Sequence, residues 1–560
     1  MCNSRFPSQY FPPSFFAKFR AVQPVVALGI IVFCTTSFVG CETTKQKNSN
    51  DPRLTKIEKT LRTADHTYRT NPSQAMGLYL NAAQNAFALI TDKSLSAPGR
   101  AEAERIYNTA VTDCAMTLQK LKPTSTDGHY WVFTAPDTTY RLRILSTGAG
   151  AENPSRFDHF VDASKINRKH LDSNTVRDGI GGSLVGVQDS ARTKVPNRPP
   201  NGFAEPVTAV ATFSKGAQGD TSVVLSFYDP RVRDKVTLNN TSFPLKGDFT
   251  APLAYFPKTG ALFGVLAMLN SDKVAERTGI YFIEPYNPNK IPVLFVHGLM
   301  SSPQTWVNFV NSLNNDPDFR KHYQAWVYFY PTGTPIAGSA LRLRMALAEA
   351  AAHYPLKRNM IVVGHSMGGI LTRMQVTNTK RLLWDGVFGK SADAFYKTFP
   401  SKGLLKRALI FEANPYVTRV VFFSTPHLGS DLATLRISEF GSRLVRLPSK
   451  MLNAYDSESQ AAVKSVDPSL RTTPTSILAL SPKSPLLKNM GKLPMTVPCH
   501  SVIGNRGKDQ IPLAKSSDGV VCYWSSHVGA AKSELIVPTG HDSFNNPQSV
   551  KEVLRILKLK

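Results

Sequence analysis

Ser366 stands at the centre of Gly364-His365-Ser366-Met367-Gly368, directly after the apolar run Met360-Ile361-Val362-Val363 and before a stretch, Gly369 to Val376, that reads as a helix. A strand that turns sharply into a helix holds the residue at the turn in a strained, exposed backbone conformation and lifts its side chain off the sheet edge. Gly364 and Gly368 suit such a turn, because a side chain there would collide as helix and strand pack together. The five-residue pattern alone recurs by chance in long chains. Its strand-turn-helix setting is what points to a serine nucleophile.

A nucleophilic serine needs a base, a group that orients the base, and donors for the oxyanion. His541 lies in Pro538-Thr539-Gly540-His541, just past the last apolar strand pattern, and Asp518 lies in Ser516-Ser517-Asp518-Gly519-Val520-Val521, past the strand before it. An open sheet of this kind presents side chains at the carboxyl ends of its strands, so both reach the same edge as Ser366. His541 would take the Ser366 proton and return it to the leaving group, while Asp518 would hold the imidazole tautomer. Val296-His297-Gly298-Leu299-Met300 ends the first strand of the set, and the backbone N–H groups of Leu299 and Met367 are the oxyanion candidates, with Gly298 allowing close approach. His297 is read as shaping this loop by hydrogen bonding. Asp431 and Asp509 are alternative acids, each less naturally placed after the penultimate strand.

The elements that must position these groups are legible from Lys290 onward. Pro292 to Val296, Ala325 to Tyr330, Met360 to Val363, Val417 to Phe423, Cys499 to Ile503 and Glu534 to Val537 are apolar and rich in β-branched or aromatic residues, the pattern of strands buried on both faces in a parallel sheet. Leu341 to Tyr354 and Val550 to Leu559 read as amphipathic connectors. The stretch from about 430 to 498 is too long for a loop and reads as a helical cap. The aromatic group Trp384, Phe388, Phe395, Tyr396 and Phe399 suits either an acyl pocket or lid, or ordinary core.

The first half has a different texture. Residues 53–123 read as helical: Asn71-Pro72-Ser73-Gln74 offers an N-cap, a proline at the first helical position and a capping-box partner, Met76, Leu80, Ala83, Phe87 and Ile90 follow at helical spacing, and a second helix starts near Pro98. Residues 124–284 read as β-rich, with short alternating strands such as Tyr140 to Leu145 and Ser222 to Tyr228 between turn residues. Asp178-Gly179-Ile180-Gly181-Gly182 lacks the Lys-Ser/Thr and helix of a phosphate loop and reads as a structural turn. The expected architecture is therefore α/β, a mostly parallel sheet with a helical cap over residues 285–560, preceded by a small helical region and a β-rich domain.

Residues 1–40 read as an export signal, with Arg5, Lys18 and Arg20 preceding an apolar run from Val25 to Val39 that is too short and wrongly flanked for a stable span. The run ends in Phe38-Val39-Gly40-Cys41, which resembles a bacterial lipobox although phenylalanine replaces the usual leucine, and by that resemblance Cys41 would carry lipid. Residues 41–52 then form a polar tether. An ordinary signal peptide or an uncleaved anchor is the plainer alternative. The expected location is a bacterial cell envelope, anchored to a membrane through the lipid. Of six cysteines, Cys114 falls in series with Ile106, Ala110, Leu118 and Leu121 and reads as a buried thiol. Cys499 and Cys522 would form either a disulfide in an oxidising envelope or two buried free thiols.

Lys plus Arg number 66 against 40 Asp plus Glu, a formal net charge of +26. The basic residues are scattered, without zinc-finger spacing, an RRM signature or a basic stripe with interleaved aromatics, so the pattern points to an anionic envelope surface or acidic substrate and away from nucleic acid.

His297-Gly298, Gly364 to Gly369, Ser424-Thr425-Pro426-His427-Leu428-Gly429-Ser430 and Asp518-Gly519-Val520-Val521 together resemble the α/β-hydrolase lipases, especially bacterial secreted triacylglycerol lipases, over roughly the last 270 residues. The resemblance implies Ser366, Asp518 and His541 as a catalytic triad in the chain order of that fold, Leu299 and Met367 as oxyanion residues, and an ester or lipid-like substrate; no cofactor and no metal site is expected from the residues themselves. It gives His427 a structural role in the floor of the site. Calcium, held by some of those lipases, is put in question because Ser543 stands two residues after His541, where an aspartate would be needed, although Asp542 is adjacent. The resemblance specifies the superfamily and not the substrate. It implies a serine ester hydrolase acting through an acyl-enzyme; an acyltransferase or thioesterase with the same triad, or a binding protein on a hydrolase scaffold, are the alternatives.

Overall fold

A computed structural model describes residues 51–122, 130–145, 152–189, 196–200, 202–216, 219–255, 277–357, 359–431, 479–507 and 512–559. The expected export signal, Cys41, most of the expected tether, Asp509 and the greater part of the expected cap lie outside the described residues. No helix among the described residues is long and apolar enough to cross a membrane.

The chain begins with three helices, α1 (Pro52–Thr67), α2 (Pro72–Thr91) and α3 (Ala97–Leu121), one more than the pair read from the sequence. The first exists because Leu54, Ile57, Leu61 and Ala64 recur at helical spacing and are all buried. Asn71 caps α2 by accepting from the Gln74 N–H at 3.1 Å, and Ser96 caps α3 by accepting from Gly99 at 3.2 Å.

These helices cover a six-stranded sheet of β1 (Trp131–Ala135), β2 (Thr138–Leu145), β3 (His159–Asp162), β4 (Gly182–Gln188), β5 (Phe203–Lys215) and β6 (Thr221–Tyr228), in the order β1-β2-β6-β5-β4-β3. Helices and sheet share one hydrophobic core, from Leu54 and Met76 through Ile106 to Val210 and Leu225. Close approach uses glycine: a Cβ at Gly77 of α2 would lie 2.1 Å from the Thr134 carbonyl oxygen, and one at Gly182 would lie 2.7 Å from the Thr112 nitrogen of α3. Asn108 of α3 holds the 178–182 turn, donating to the Gly179 carbonyl at 2.9 Å and accepting from the Gly181 N–H at 2.6 Å. The turn is structural, as its sequence indicated.

The second sheet has seven strands: β7 (Gly279–Phe282), β8 (Ile291–Val296), β9 (Tyr323–Phe329), β10 (Met360–His365), β11 (Val417–Phe423), β12 (Cys499–Gly504) and β13 (Ser533–Val537), in the order β7-β9-β8-β10-β11-β12-β13. All pairs are parallel except β7 with β9. Strands β9, β10 and β12 are buried at every residue, which is why they read as unbroken apolar runs. Alternate residues feed two cores: Leu294 and Val296 face one with Trp326 and Met367, Val293 and Phe295 the other with Trp306 and Val502.

Strand β7 corrects the sequence reading, which ended the β-rich region at 284. It is the antiparallel edge of the second sheet, with Phe282 opposite Trp326 and their rings stacked at 4.2 Å. An alternating edge strand carries the same local pattern whichever sheet it joins. Asn48 to Lys560 form one compact unit, and the two sheets are tied by polar groups. Arg231, just past β6, donates to Asp229 and Glu205 at 2.7 Å and to Glu284 at 2.5 Å, and Lys290 donates to Glu284 at 2.9 Å. Buried Asn311 accepts from the Thr250 hydroxyl at 2.8 Å and donates to the Ser173 carbonyl at 2.9 Å.

The Cys499–Cys522 disulfide does not form: both thiols are free. Cys499 opens β12 at its amino end, whereas Cys522 bridges Ser517, whose carbonyl accepts from the Arg506 N–H past the carboxyl end.

Candidate active site

Ser366 lies between the end of β10 and helix α4 (Met367–Arg373), at φ 54° and ψ −126°. A non-glycine residue with positive φ is held there only by its surroundings. Three glycines supply them. A Cβ at Gly364 would lie 2.5 Å from the Thr372 hydroxyl and 2.7 Å from the Gly368 carbonyl oxygen; one at Gly368 would lie 2.4 Å from the His297 carbonyl oxygen; one at Gly369 would lie 1.8 Å from the Thr425 hydroxyl. The Ser366 N–H donates to the Phe423 carbonyl at 2.9 Å, fixing the turn to β11.

Asp518 sits in the loop after β12 and His541 in the loop after β13, so both share the carboxyl edge with Ser366. The His541 Nδ1 and the Asp518 Oδ2 are 2.7 Å apart. The other carboxylate oxygen accepts from the backbone N–H of Val520 at 2.8 Å and of Val521 at 2.7 Å. Asp518 is 1% exposed. Burial pushes its carboxyl upward, but the hydrogen bond and charge of His541 and the two backbone donors outweigh that and hold it below the usual carboxylate range. With Nδ1–H committed to the carboxylate, Nε2 of a neutral His541 is left as the basic nitrogen.

The sequence reading missed what holds His541. The His365 Nε2 lies 2.8 Å from the His541 carbonyl oxygen, so it carries the proton and donates, and the two rings are 4.8 Å apart. His365 is packed edge-on against Phe544 at 4.9 Å, and burial first, then the neighbouring His541, lowers its pKa to about 3. It is a fixed neutral donor that ties the residue before Ser366 to the loop of His541. Ser424 is a second tie: its hydroxyl lies 3.0 Å from that of Ser543 and accepts from the Gly504 N–H at 3.2 Å, joining the ends of β11 and β12 to the His541 loop. Nothing in local sequence marks either contact, since the partners are 176 and 119 residues away.

The loop after β8 lies against the serine, because a Cβ at Gly298 would come within 3.0 Å of the Ser366 Cβ. Met367 opens α4, so its N–H has no intrahelical acceptor. The Met300 N–H is taken by the Thr332 hydroxyl at 3.3 Å, and Leu299 is half-buried in the loop between. His297 shapes this loop as read: its Nδ1 lies 3.0 Å from the Gly298 carbonyl oxygen, its ring stacks on Tyr330 at 4.5 Å, and burial lowers its pKa to about 4.

His427 is buried, its ring edge-on to Phe422 at 4.6 Å, and its backbone N–H donates to the Ser525 carbonyl at 2.9 Å. Burial, with Arg373 adding to it, keeps its pKa well below the ordinary value. Asp431 is exposed at the far end of that segment. The aromatic group packs as core: Trp384, Phe395 and Phe399 are buried, Trp384 lies 4.6 Å from Phe388, and its indole N–H donates to the Ala392 carbonyl at 2.8 Å.

A mostly parallel sheet with this strand order and one antiparallel edge, carrying a strained serine after its central strand, is an α/β-hydrolase fold. Residues 287–386 match the family model described as PGAP1-like alpha/beta domain. No curated protein matches the chain. Among solved structures the chain is similar to the mature lipase BlEst2 of Bacillus licheniformis, at 18% identity over 50% of this chain and 97% of that one, TM-score 0.31. Lipase 1 from Pelosinus fermentans is 13% identical over 49% of this chain and 100% of its own, TM-score 0.30. EstA from Clostridium botulinum is 12% identical over 52% of this chain and 95% of its own, TM-score 0.27.

Proposed function

We propose that the chain is a serine hydrolase of carboxylic esters, a lipase or esterase, held in a bacterial cell envelope by lipid at Cys41. The observation that carries the reading is the pairing of buried Asp518 with half-buried His541 at 2.7 Å, at the sheet edge that also holds Ser366 at φ 54°. A buried carboxylate locked by two backbone donors and an imidazole is costly to maintain, and orienting a base repays that cost in catalysis.

In the reaction, Ser366 Oγ attacks the ester carbonyl carbon as His541 Nε2 takes its proton. The tetrahedral oxyanion is met by the N–H groups of Leu299 and Met367, and Asp518 stabilises the imidazolium. Collapse breaks the bond to the alcohol oxygen, which leaves with the proton from His541. Water, deprotonated by the same nitrogen, then attacks the acyl-enzyme and releases the carboxylic acid and Ser366.

The test is hydrolysis of nitrophenyl esters of short and medium acyl chains by wild type and Ser366→Ala, beside a thermal melt. The substitution removes the nucleophile and almost no buried surface, so turnover should vanish while the melt stays in place. Equal turnover in both proteins would end the proposal.

A further inference from the structure

Resting on the Ser366, His541 and Asp518 reading above, we infer that Arg506 is a positioning residue that locks the loop carrying Asp518 to the loop carrying His541. Arg506 follows β12 by two residues, and its backbone N–H donates to the Ser517 carbonyl at 2.9 Å. Its side chain then lies across both loops. A Cβ at Gly519, next to Asp518, would lie 2.9 Å from Nη1 and 3.3 Å from Cζ. A Cβ at Gly540, next to His541, would lie 2.5 Å from Nη2, 2.7 Å from Nε and 3.0 Å from Cζ. One guanidinium plane thus rests on two backbone surfaces that only glycine leaves open.

Gly540 makes the point sharply. The three atoms nearest its missing Cβ all belong to Arg506, and its φ lies outside the left-handed range, so the space taken by this one side chain is what favours glycine there. A Cβ at Gly504 would lie 2.3 Å from the Gly540 carbonyl oxygen and 3.0 Å from the Asp518 Cβ, so the end of β12 and both loops converge. Arg506 is exposed and makes no ion pair among the described residues. Its flat, weakly hydrated head can pack on peptide planes while its edge stays in water, which a lysine ammonium cannot do. The acid–base hydrogen bond needs both loops in register, and a misplacement of about 1 Å in a catalytic group costs on the order of 10²-fold in rate.

The test uses the full chain as wild type, Arg506→Ala, Arg506→Lys, Gly540→Ala and the Arg506→Ala/Gly540→Ala double variant. Each is assayed for kcat and KM on a short acyl ester, for its rate of labelling by a fluorophosphonate and for its thermal melt. Arg506→Ala should lower kcat and the labelling rate together, by about 10- to 100-fold, with KM and the melt little changed. Arg506→Lys should restore little. Gly540→Ala meets only the far end of a flexible side chain, so it should fold normally, push the guanidinium aside and reproduce the loss. The double variant should be no worse than Arg506→Ala, since both substitutions remove one contact. Guanidinium ion at low millimolar concentration should return part of the activity to Arg506→Ala and none to the double variant. If wild type labels and Arg506→Ala matches it, or if the two single losses multiply in the double variant, the inference is overturned while the serine-hydrolase reading stands. An unlabelled wild type overturns that reading and the inference with it.

Discussion

Replacing Asp518 with asparagine changes one atom and, on the geometry described here, removes the base. The Oδ1 atom of Asp518 accepts from two backbone N–H groups, of Val520 at 2.8 Å and Val521 at 2.7 Å, and Oδ2 meets His541 at 2.7 Å. An asparagine has one acceptor oxygen, and it must face the two N–H donors. The reverse orientation would set an NH₂ group against both in a buried site, at about 1–3 kcal/mol for each donor left unpaired. The amide NH₂ is therefore presented to His541 Nδ1. That nitrogen must accept, the ring proton moves to Nε2, and the nitrogen proposed as the base can no longer take a proton. The expected loss is on the order of 10⁴ in kcat, or about 5.5 kcal/mol of transition-state stabilisation, with KM nearly unchanged. Because the shape and both backbone hydrogen bonds survive, folding stability should fall by only about 1–3 kcal/mol from the loss of charge-assisted bonds. Steady-state kinetics on a short acyl ester beside a denaturant titration measure both numbers. Asp431→Asn and Asp509→Asn, assayed in parallel, should stay within a few-fold of wild type. A kcat for Asp518→Asn within tenfold of wild type in a folded protein, or a collapse of kcat in either other variant, would refute this assignment of the acid.

Gly368→Ala would put a Cβ 2.4 Å from the His297 carbonyl oxygen and 2.5 Å from that of Val296, backbone atoms that cannot step aside; a loss of about 3 kcal/mol in a urea titration is expected, and an unchanged midpoint would contradict the packing described. His297 and His365 have folded pKa values depressed to about 4 and about 3 from 6.5. Their stabilisation is complete above the unfolded value and is lost as pH falls towards the folded ones, by about 2 kcal/mol per ring between pH 6.5 and 5. Melts that do not shift downward over that interval would show that the rings titrate normally. Cys41→Ser should move the protein from the membrane pellet to the soluble fraction, and a variant that still pelleted after a high-salt wash would exclude lipid at Cys41 as the sole anchor.

Six parallel strands of the second sheet were legible because burial on both faces leaves unbroken β-branched and aromatic runs, and the candidate triad was legible because each member follows one of those strands. The contacts that position them were not. His365 reads in sequence as a variable place in a glycine pattern, and only the fold shows its imidazole against the His541 carbonyl. Arg506 and Gly540 are unremarkable apart, and their fit depends on two loops meeting across the sheet edge. Strand β7 was assigned to the wrong sheet because its partner, β9, lies more than forty residues further along. The alternatives at Cys499 and Cys522, a disulfide or two free thiols, came from compartment chemistry, which says nothing about where the fold places each thiol; both are free.

The most direct measurement of the central claim is the site of covalent modification by a fluorophosphonate, read by digestion and mass spectrometry, because such a probe reports an activated serine without knowledge of the substrate. One adduct per chain is expected, on Ser366, absent from Ser366→Ala and strongly slowed in Asp518→Asn. An adduct on another serine, or a folded wild-type protein that takes up no probe, would contradict it.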